Sequence, residues 1–268
     1  MSLRWPGGKS AFAGPAATGR WLLKHLPDQY PGYAEPFFGM GGVLLNRPKV
    51  FCEKVNDIEE GLVNWWRAII FHCDELVGMM DRSPYWSEDL WKEAVASHDT
   101  ETDPVKKAYW YTIRLEWSYM GMGTGLGRYN HTRRDQQYLT HKVGYRFVRL
   151  RDRMKGVQIH NEDAVSFMRR LVDRRGWCFY VDPPYADKSD GFYKHTEFDR
   201  DALAEVMEDQ AGFVAVSGYD DEWDRLGWEK IEIDTVSGMS TLKEENKRTE
   251  MLWVNRTDDL RNRQGKLL

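Results

Sequence analysis

Asp182-Pro183-Pro184-Tyr185 is the stretch of this chain best suited to chemistry. Asp182 offers a carboxylate that accepts a hydrogen bond from an amino group. The two prolines fix φ, so the carbonyls they carry point in set directions. Tyr185 offers a flat face on which a planar ring stacks. An acceptor, a rigid carbonyl and an aromatic face together suit an exocyclic amine on a flat heterocycle. The four residues follow Trp177-Cys178-Phe179-Tyr180-Val181, a continuous apolar run of the kind that reads as a buried strand. Neither proline has an N–H to donate to a ladder, so the chain must leave the sheet at Asp182. In open α/β sheets ligands bind at that carboxyl end. A plain turn after a strand would carry the same residues, and the remainder of the chain has to decide between the two.

A second candidate opens earlier. The segment 32–43 reads as a short strand running through Glu35-Pro36-Phe37-Phe38 into Gly39, Gly41 and Gly42, with a helix expected through Leu44, Leu45 and Asn46. Strand, glycine turn and helix form the nucleoside-binding opening of an α/β sheet, but the glycine spacing is not that of a dinucleotide site. A second strand over 50–57 ends at Asp57, the distance past the glycines at which an acid meets ribose hydroxyls. At the start of the chain, Arg4-Trp5-Pro6-Gly7-Gly8-Lys9 is a compact turn carrying one large aromatic and one cation, and it reads as a binding loop.

The elements that must position these groups follow from periodicity. Helices are expected over 58–76, 105–119, 145–154, 165–172 and 199–209, and strands over 157–161, 177–181, 212–217, 228–234 and 249–254. Between them lies Gly121-Met122-Gly123-Thr124-Gly125-Leu126-Gly127-Arg128-Tyr129-Asn130, which follows a helix, so it is no phosphate-binding turn. A glycine loop ending in Arg128, Tyr129, Asn130, Arg133 and Arg134 suits contact with a nucleic acid backbone and base edges. Residues 71–141 thus read as a mostly helical insertion in an α/β domain made of 1–70 and 142–256, with a loose polar tail at 257–268.

Composition narrows the classes. The 268 residues carry a formal charge of −4, yet basic residues crowd into 1–26 and 114–155 while acids collect over 197–234. A basic face on an acidic protein suits phosphate, although a solvated helix face would give the same run. Three cysteines without paired spacing argue for a reducing intracellular setting and against a zinc cluster. No signal peptide and no membrane-length apolar run is evident, and the expected location is cytoplasmic.

Taken together the chain resembles the Dam/D12 family of DNA adenine N6-methyltransferases. The resemblance is carried by Trp5, Gly7, Gly8 and Lys9; by Glu35, Pro36, Phe37, Gly39 and Gly41; by Asn56 and Asp57; by Asn161 and Asp163; and by residues 182–185. It implies an α/β, Rossmann-like S-adenosylmethionine-dependent methyltransferase fold with a mixed seven-stranded sheet and a helical target-recognition insertion. It implies S-adenosyl-L-methionine as cofactor, held by Trp5, Gly8, Lys9, Glu35, Pro36, Phe37, Phe38, Gly39 and Gly41. Asp57, Ile58, Asp163, Ala164 and Asp182 complete that set. It implies a flipped adenine met by Asp182, Pro183, Pro184 and Tyr185, and double-stranded DNA held by Arg114, Thr124, Leu126, Arg128, Tyr129, Asn130, Arg133 and Arg134. Neither a metal nor a membrane is implied, and the enzyme is expected to act as a monomer on DNA. The alternatives are a methyltransferase of an RNA or protein amide nitrogen and a DNA adenine methylase of relaxed specificity. Two departures stand out: Ser217-Gly218-Tyr219 where Ser-Asn-Tyr is commoner in the family, and an unusually glycine-rich recognition hairpin followed by residues 131–135 in place of Phe-Asn-Val-Pro.

Overall fold

The computed structural model describes residue 3 and residues 20–84, 86–121, 123–127, 141–184, 198–233 and 250–256. The chain divides into two compact units, one made of residues 1–8, 39–41 and 59–161, the other of residues 9–38, 42–58 and 162–268.

The second unit carries the sheet's parallel core. Strand β1 (Gly32–Glu35) pairs in parallel with β2 (Cys52–Asn56) on one side and with β4 (Trp177–Val181) on the other. Strand β4 pairs in parallel with β5 (Phe213–Tyr219). Strand β7 (Glu250–Val254) runs antiparallel to both β5 and β6 (Glu229–Ile233). With β3 (Gln158–His160) the order is β3-β2-β1-β4-β5-β7-β6, a mixed seven-stranded sheet. The chain moves outward from β1 to β2, then returns past β1 to β4. The point where the order reverses therefore lies between β1 and β4, which is where an open α/β sheet leaves a crevice at its carboxyl edge.

Buried strands explain the apolar runs. Cys178, Phe179, Tyr180 and Val181 are all buried. Helices α7 (Ala164–Arg169) and α8 (Arg200–Glu208) cover this part of the sheet, placing Val165, Phe167, Met168, Leu203, Val206 and Met207 against Phe179, Val181, Val214 and Val216. Both helices are capped by the aspartate that precedes them: Asp163 accepts from the Ser166 amide and Asp199 from the Ala202 amide, each at 2.9 Å. A short helix α1 (Arg20–Lys24) precedes the sheet.

Two expected helices differ. The helix expected after the glycines is a single 3-10 turn, Leu44–Asn46. Arg47 is extended (φ −95°, ψ 157°) because it precedes Pro48, whose ring disfavours helical geometry at the residue before it. The expected 58–76 helix is two, α2 (Glu60–Phe71) and α3 (Cys73–Asp81), separated at His72 (φ −132°, ψ 27°).

The other unit is helical. Helix α5 (Pro104–Glu116) packs on α2, α3 and α4 (Glu88–Ser97), and α6 (His141–Met154) packs on α2 and α3. Asp103 starts α5 by accepting from the amides of Val105 and Lys106, with Pro104 in the first turn, where its missing N–H costs nothing. The centre of this unit is aromatic. Trp65 lies edge-on to Trp66 at 4.8 Å and to Phe147 at 5.8 Å, and its indole N–H donates to the Thr112 hydroxyl at 3.0 Å.

Candidate active site at the strand ends

Glu35 closes β1 and is 2% exposed. The Tyr33 hydroxyl donates to its Oε1 at 2.7 Å, and the Leu44 amide donates to the same carboxyl. Burial raises the Glu35 carboxyl to about 8, against the opposing pull of those two donors and of Arg47, with the neighbouring Asp182 pushing it further up. Arg47 lies 3.8 Å above the Tyr33 ring and donates to the Pro27 carbonyl at 3.1 Å. The floor beneath the strand end is thus an aromatic ring held between a carboxyl and a guanidinium.

The loops after β1 and β2 and the lead-in to α7 are tied together by one side chain. Asn56, the last residue of β2 and 1% exposed, donates from Nδ2 to the Pro36 carbonyl at 3.0 Å and to the Glu162 carbonyl at 2.9 Å. Its Oδ1 accepts from the Glu162 amide at 3.1 Å, and its own carbonyl accepts from the Phe38 amide at 2.9 Å. The sequence marked Asn56 only as a family residue; the structure makes it the staple of the cofactor candidates. Asp57 follows it half-buried and Ile58 exposed, while Asp163 is exposed at the cap of α7 and Ala164 is buried behind it.

At the end of β4, Asp182 and Pro184 are half-buried and Pro183 is buried. The Tyr180 hydroxyl shares a 2.7 Å hydrogen bond with the Ser217 hydroxyl. Burial, then the charges of Asp182 and Glu250, hold the Tyr180 phenol well above its ordinary value. Glu35 and Asp182 therefore sit on the two strands that flank the reversal point, close enough for the charge of one to act on the other.

In the helical unit, Gly39 and Gly41 turn with φ of 51° and 69°, and the Trp66 indole donates to the Gly39 carbonyl at 2.9 Å. Trp66, spaced like a core residue, also fixes the glycine turn. Residues 118–121 and 123–127 come together as a hairpin: Tyr119 donates to the Gly125 carbonyl at 3.0 Å, Gly127 to the Trp117 carbonyl at 2.8 Å, and Gly123 to the Ser118 hydroxyl at 2.9 Å. Thr124 is exposed at its tip and Leu126 half-buried. Arg114 is half-buried beneath it, 5.1 Å from the Tyr111 ring. Part of the basic run is already matched within the unit, since Arg146 pairs with buried Glu116 at 2.7 Å and Arg151 with Asp74 at 3.1 Å. For those two arginines the solvated or paired face is the better account.

Gly123 makes the hairpin testable. Its φ is +68°, and a Cβ there would stand 2.4 Å from Arg114 Nη1. Gly123→Ala is expected to cost roughly 1–3 kcal/mol of stability through backbone strain and displacement of Arg114. Thermal denaturation measures that cost.

Trp5, Gly8, Lys9, Tyr185, Arg128, Tyr129, Asn130, Arg133 and Arg134 lie outside the described residues. Among the described residues no group of three or more His, Cys, Asp or Glu is arranged to hold a metal ion, and no helix is long and apolar enough to cross a membrane. Residues 5–220 match the D12 class N6 adenine-specific DNA methyltransferase family. The chain belongs to that family. Its mixed seven-stranded sheet is accordingly that of the α/β methyltransferase fold. Among solved structures the chain is similar to SMU.472, described as a methyltransferase in complex with SAH, with 11% identity and a TM-score of 0.39. That similarity covers 93% of this chain, which spans 52% of the other. No curated protein compared with this D12 methyltransferase matches it.

Gly218, in Ser217-Gly218-Tyr219, is closely packed. A Cβ at Gly218 would stand 2.8 Å from Trp223 Cδ1, and the Trp223 indole donates to the Ser217 carbonyl at 3.2 Å.

Proposed function

We propose that the protein transfers a methyl group from S-adenosyl-L-methionine to N6 of an adenine flipped out of double-stranded DNA. The observation that carries this reading is the pairing of Asp182-Pro183-Pro184 at the end of β4 with Glu35-Pro36-Phe37 at the end of β1, on either side of the reversal point. Asp182 and the cofactor candidates Glu35, Pro36, Phe37 and Asp57 then lie at the carboxyl edge of the sheet within one unit.

The residues present fit the cofactor. Glu35 is a buried carboxyl on the last residue of β1, suited to a cation once ionised, and half-buried Asp57 offers an acceptor for vicinal hydroxyls. S-adenosyl-L-methionine, when bound, supplies a methyl group on a sulfonium, open to direct displacement without a covalent enzyme intermediate. The protein's own part is positioning and electrostatics. Asp182 and the Pro183 carbonyl accept from the N6 amino group, drawing its lone pair out of ring conjugation. Tyr185 stacks on the base. Arg114, Thr124 and Leu126, with Arg128, Tyr129, Asn130, Arg133 and Arg134, engage the duplex. The base leaves the stack because N6 is out of reach within it. The catalytic portion is assigned to 1–70 and 142–256 and target recognition to 71–141.

Methyl transfer from labelled S-adenosyl-L-methionine to a panel of DNAs, followed by nucleoside digestion, tests this. Label in N6-methyladenine is expected. Label in RNA or protein amides alone would overturn the DNA reading.

Glu35 adds a pH signature. Its carboxyl sits at about 8 in the fold against an ordinary value of 4.5. Its stabilising contribution is complete below the ordinary value and is lost as pH rises through about 8, because unfolding releases a proton in that window. Stability should therefore fall from mildly acidic pH toward pH 8, and Glu35→Gln should flatten that fall in denaturant titrations. A cationic cofactor beside Glu35 favours the carboxylate, so cofactor binding near neutral pH should release protons. Calorimetry in buffers of different ionisation heat reads that release, and Glu35→Gln should remove it.

A further inference from the structure

We propose that Arg200 is a positioning residue for the Asp182-Pro183-Pro184-Tyr185 turn, an inference that rests on the methyltransferase reading above. The two proline rings fix φ at 183 and 184, which leaves ψ of Pro184 as the soft torsion before Tyr185. The Pro184 carbonyl and the Tyr185 amide share one peptide plane, so whatever holds that carbonyl sets the direction in which the chain continues. Arg200 Nη2 donates to the Pro184 carbonyl at 2.8 Å. This contact occupies one of the two lone pairs of the Pro184 carbonyl.

The guanidinium has further partners. It is paired with Glu222, lies 4.7 Å over the Phe198 ring and 5.9 Å from the Trp223 ring. Phe198 packs at 5.6 Å on Phe37 in the loop after β1. Trp223 is 1% exposed and reaches its place only because residue 218 is glycine. One side chain at the first position of α8 thereby joins the segments that follow β1, β4 and β5. Planar stacking together with forked donation suits arginine, and lysine cannot reproduce it. The departure from the family at Gly218 and the clamp at Arg200 are two parts of one arrangement.

The test compares wild type, Arg200→Ala, Arg200→Lys, Glu222→Gln and Asp182→Ala in single-turnover methyl transfer to DNA, with cofactor dissociation constants and thermal midpoints alongside. Arg200→Ala should slow transfer by about 10- to 100-fold, the cost of a misplaced reacting group. Cofactor affinity should stay within about twofold, because no ground-state contact is lost. Arg200→Lys should recover part of the rate, and Glu222→Gln should give a smaller loss than Arg200→Ala. Transfer at the wild-type rate by folded Arg200→Ala would overturn the proposal, as would a loss explained wholly by a lower midpoint or weaker cofactor binding. Amide exchange of a peptide that includes Tyr185, the first amide after the clamped carbonyl, gives a readout independent of activity: faster exchange there in Arg200→Ala supports the clamp, and unchanged exchange overturns it. Absence of label in any DNA with wild type would sink the methylation reading instead, with the exchange comparison still deciding the clamp.

Discussion

Asp182→Ala is expected to abolish methyl transfer to DNA, with a loss of about 1,000-fold or more, roughly 4 kcal/mol of transition-state stabilisation. The carboxylate is the acceptor best placed to draw on an exocyclic amine, and the Pro183 carbonyl alone carries less charge. Asp182 is half-buried at a strand end, outside the packed cluster of Phe179, Val181, Val214 and Val216, so the fold should survive its removal. Asp182→Asn keeps one acceptor oxygen without the charge and should lose less. Single-turnover transfer from labelled cofactor makes the comparison. Activity in Asp182→Ala within a few-fold of wild type, or a loss matched by unfolding, would leave Asp182 as a mere turn starter. Removing the charge should also let Glu35 fall from about 8, because Asp182 contributes to holding it up.

Asn56→Ala should be the most damaging single change outside the reacting groups. It leaves the carbonyls of Pro36 and Glu162 and the amide of Glu162 without the partners they now have. An unsatisfied buried group costs about 1–3 kcal/mol. Partial rescue by water brings the expected total to about 3 kcal/mol. Chemical denaturation measures it. The site should suffer as well, since Asp57, Pro36 and the lead-in to Asp163 lose their common anchor, and calorimetry should show weaker cofactor binding. Asn56→Asp should be worse still, because a carboxylate would face two carbonyl oxygens. A stability change below about 1 kcal/mol with intact cofactor affinity would show that the three segments hold their places without the staple.

What the sequence by itself determined was local and ordered. The apolar run 177–181 meeting two prolines dictated a strand that stops at Asp182, because proline cannot donate to a ladder. Glycines after a short strand dictated a tight turn, and Gly39 and Gly41 take positive φ there. The order of these motifs sufficed to place the chain in the D12 family. Tertiary structure decided the rest, because the deciding contacts join residues far apart in the chain. Asn56 reaches Glu162 across 106 positions, and no spacing rule connects them. The apolar period runs in phase through Ile69, Cys73 and Leu76, so it gives no sign of the break at His72; packing of α3 on α6 and α5 does. For the same reason α2 belongs to the helical unit, whose main segment begins at residue 59, although periodicity alone joins it to the strand before it. The raised carboxyl of Glu35 follows from burial that only the closed sheet provides. Nothing local in the sequence relates Gly218 to the Trp223 ring packed against it or Arg200 to the Pro184 carbonyl; the fold brings both pairs together. Backbone stereochemistry is written residue by residue, whereas desolvation and hydrogen-bond closure arise only when distant segments meet.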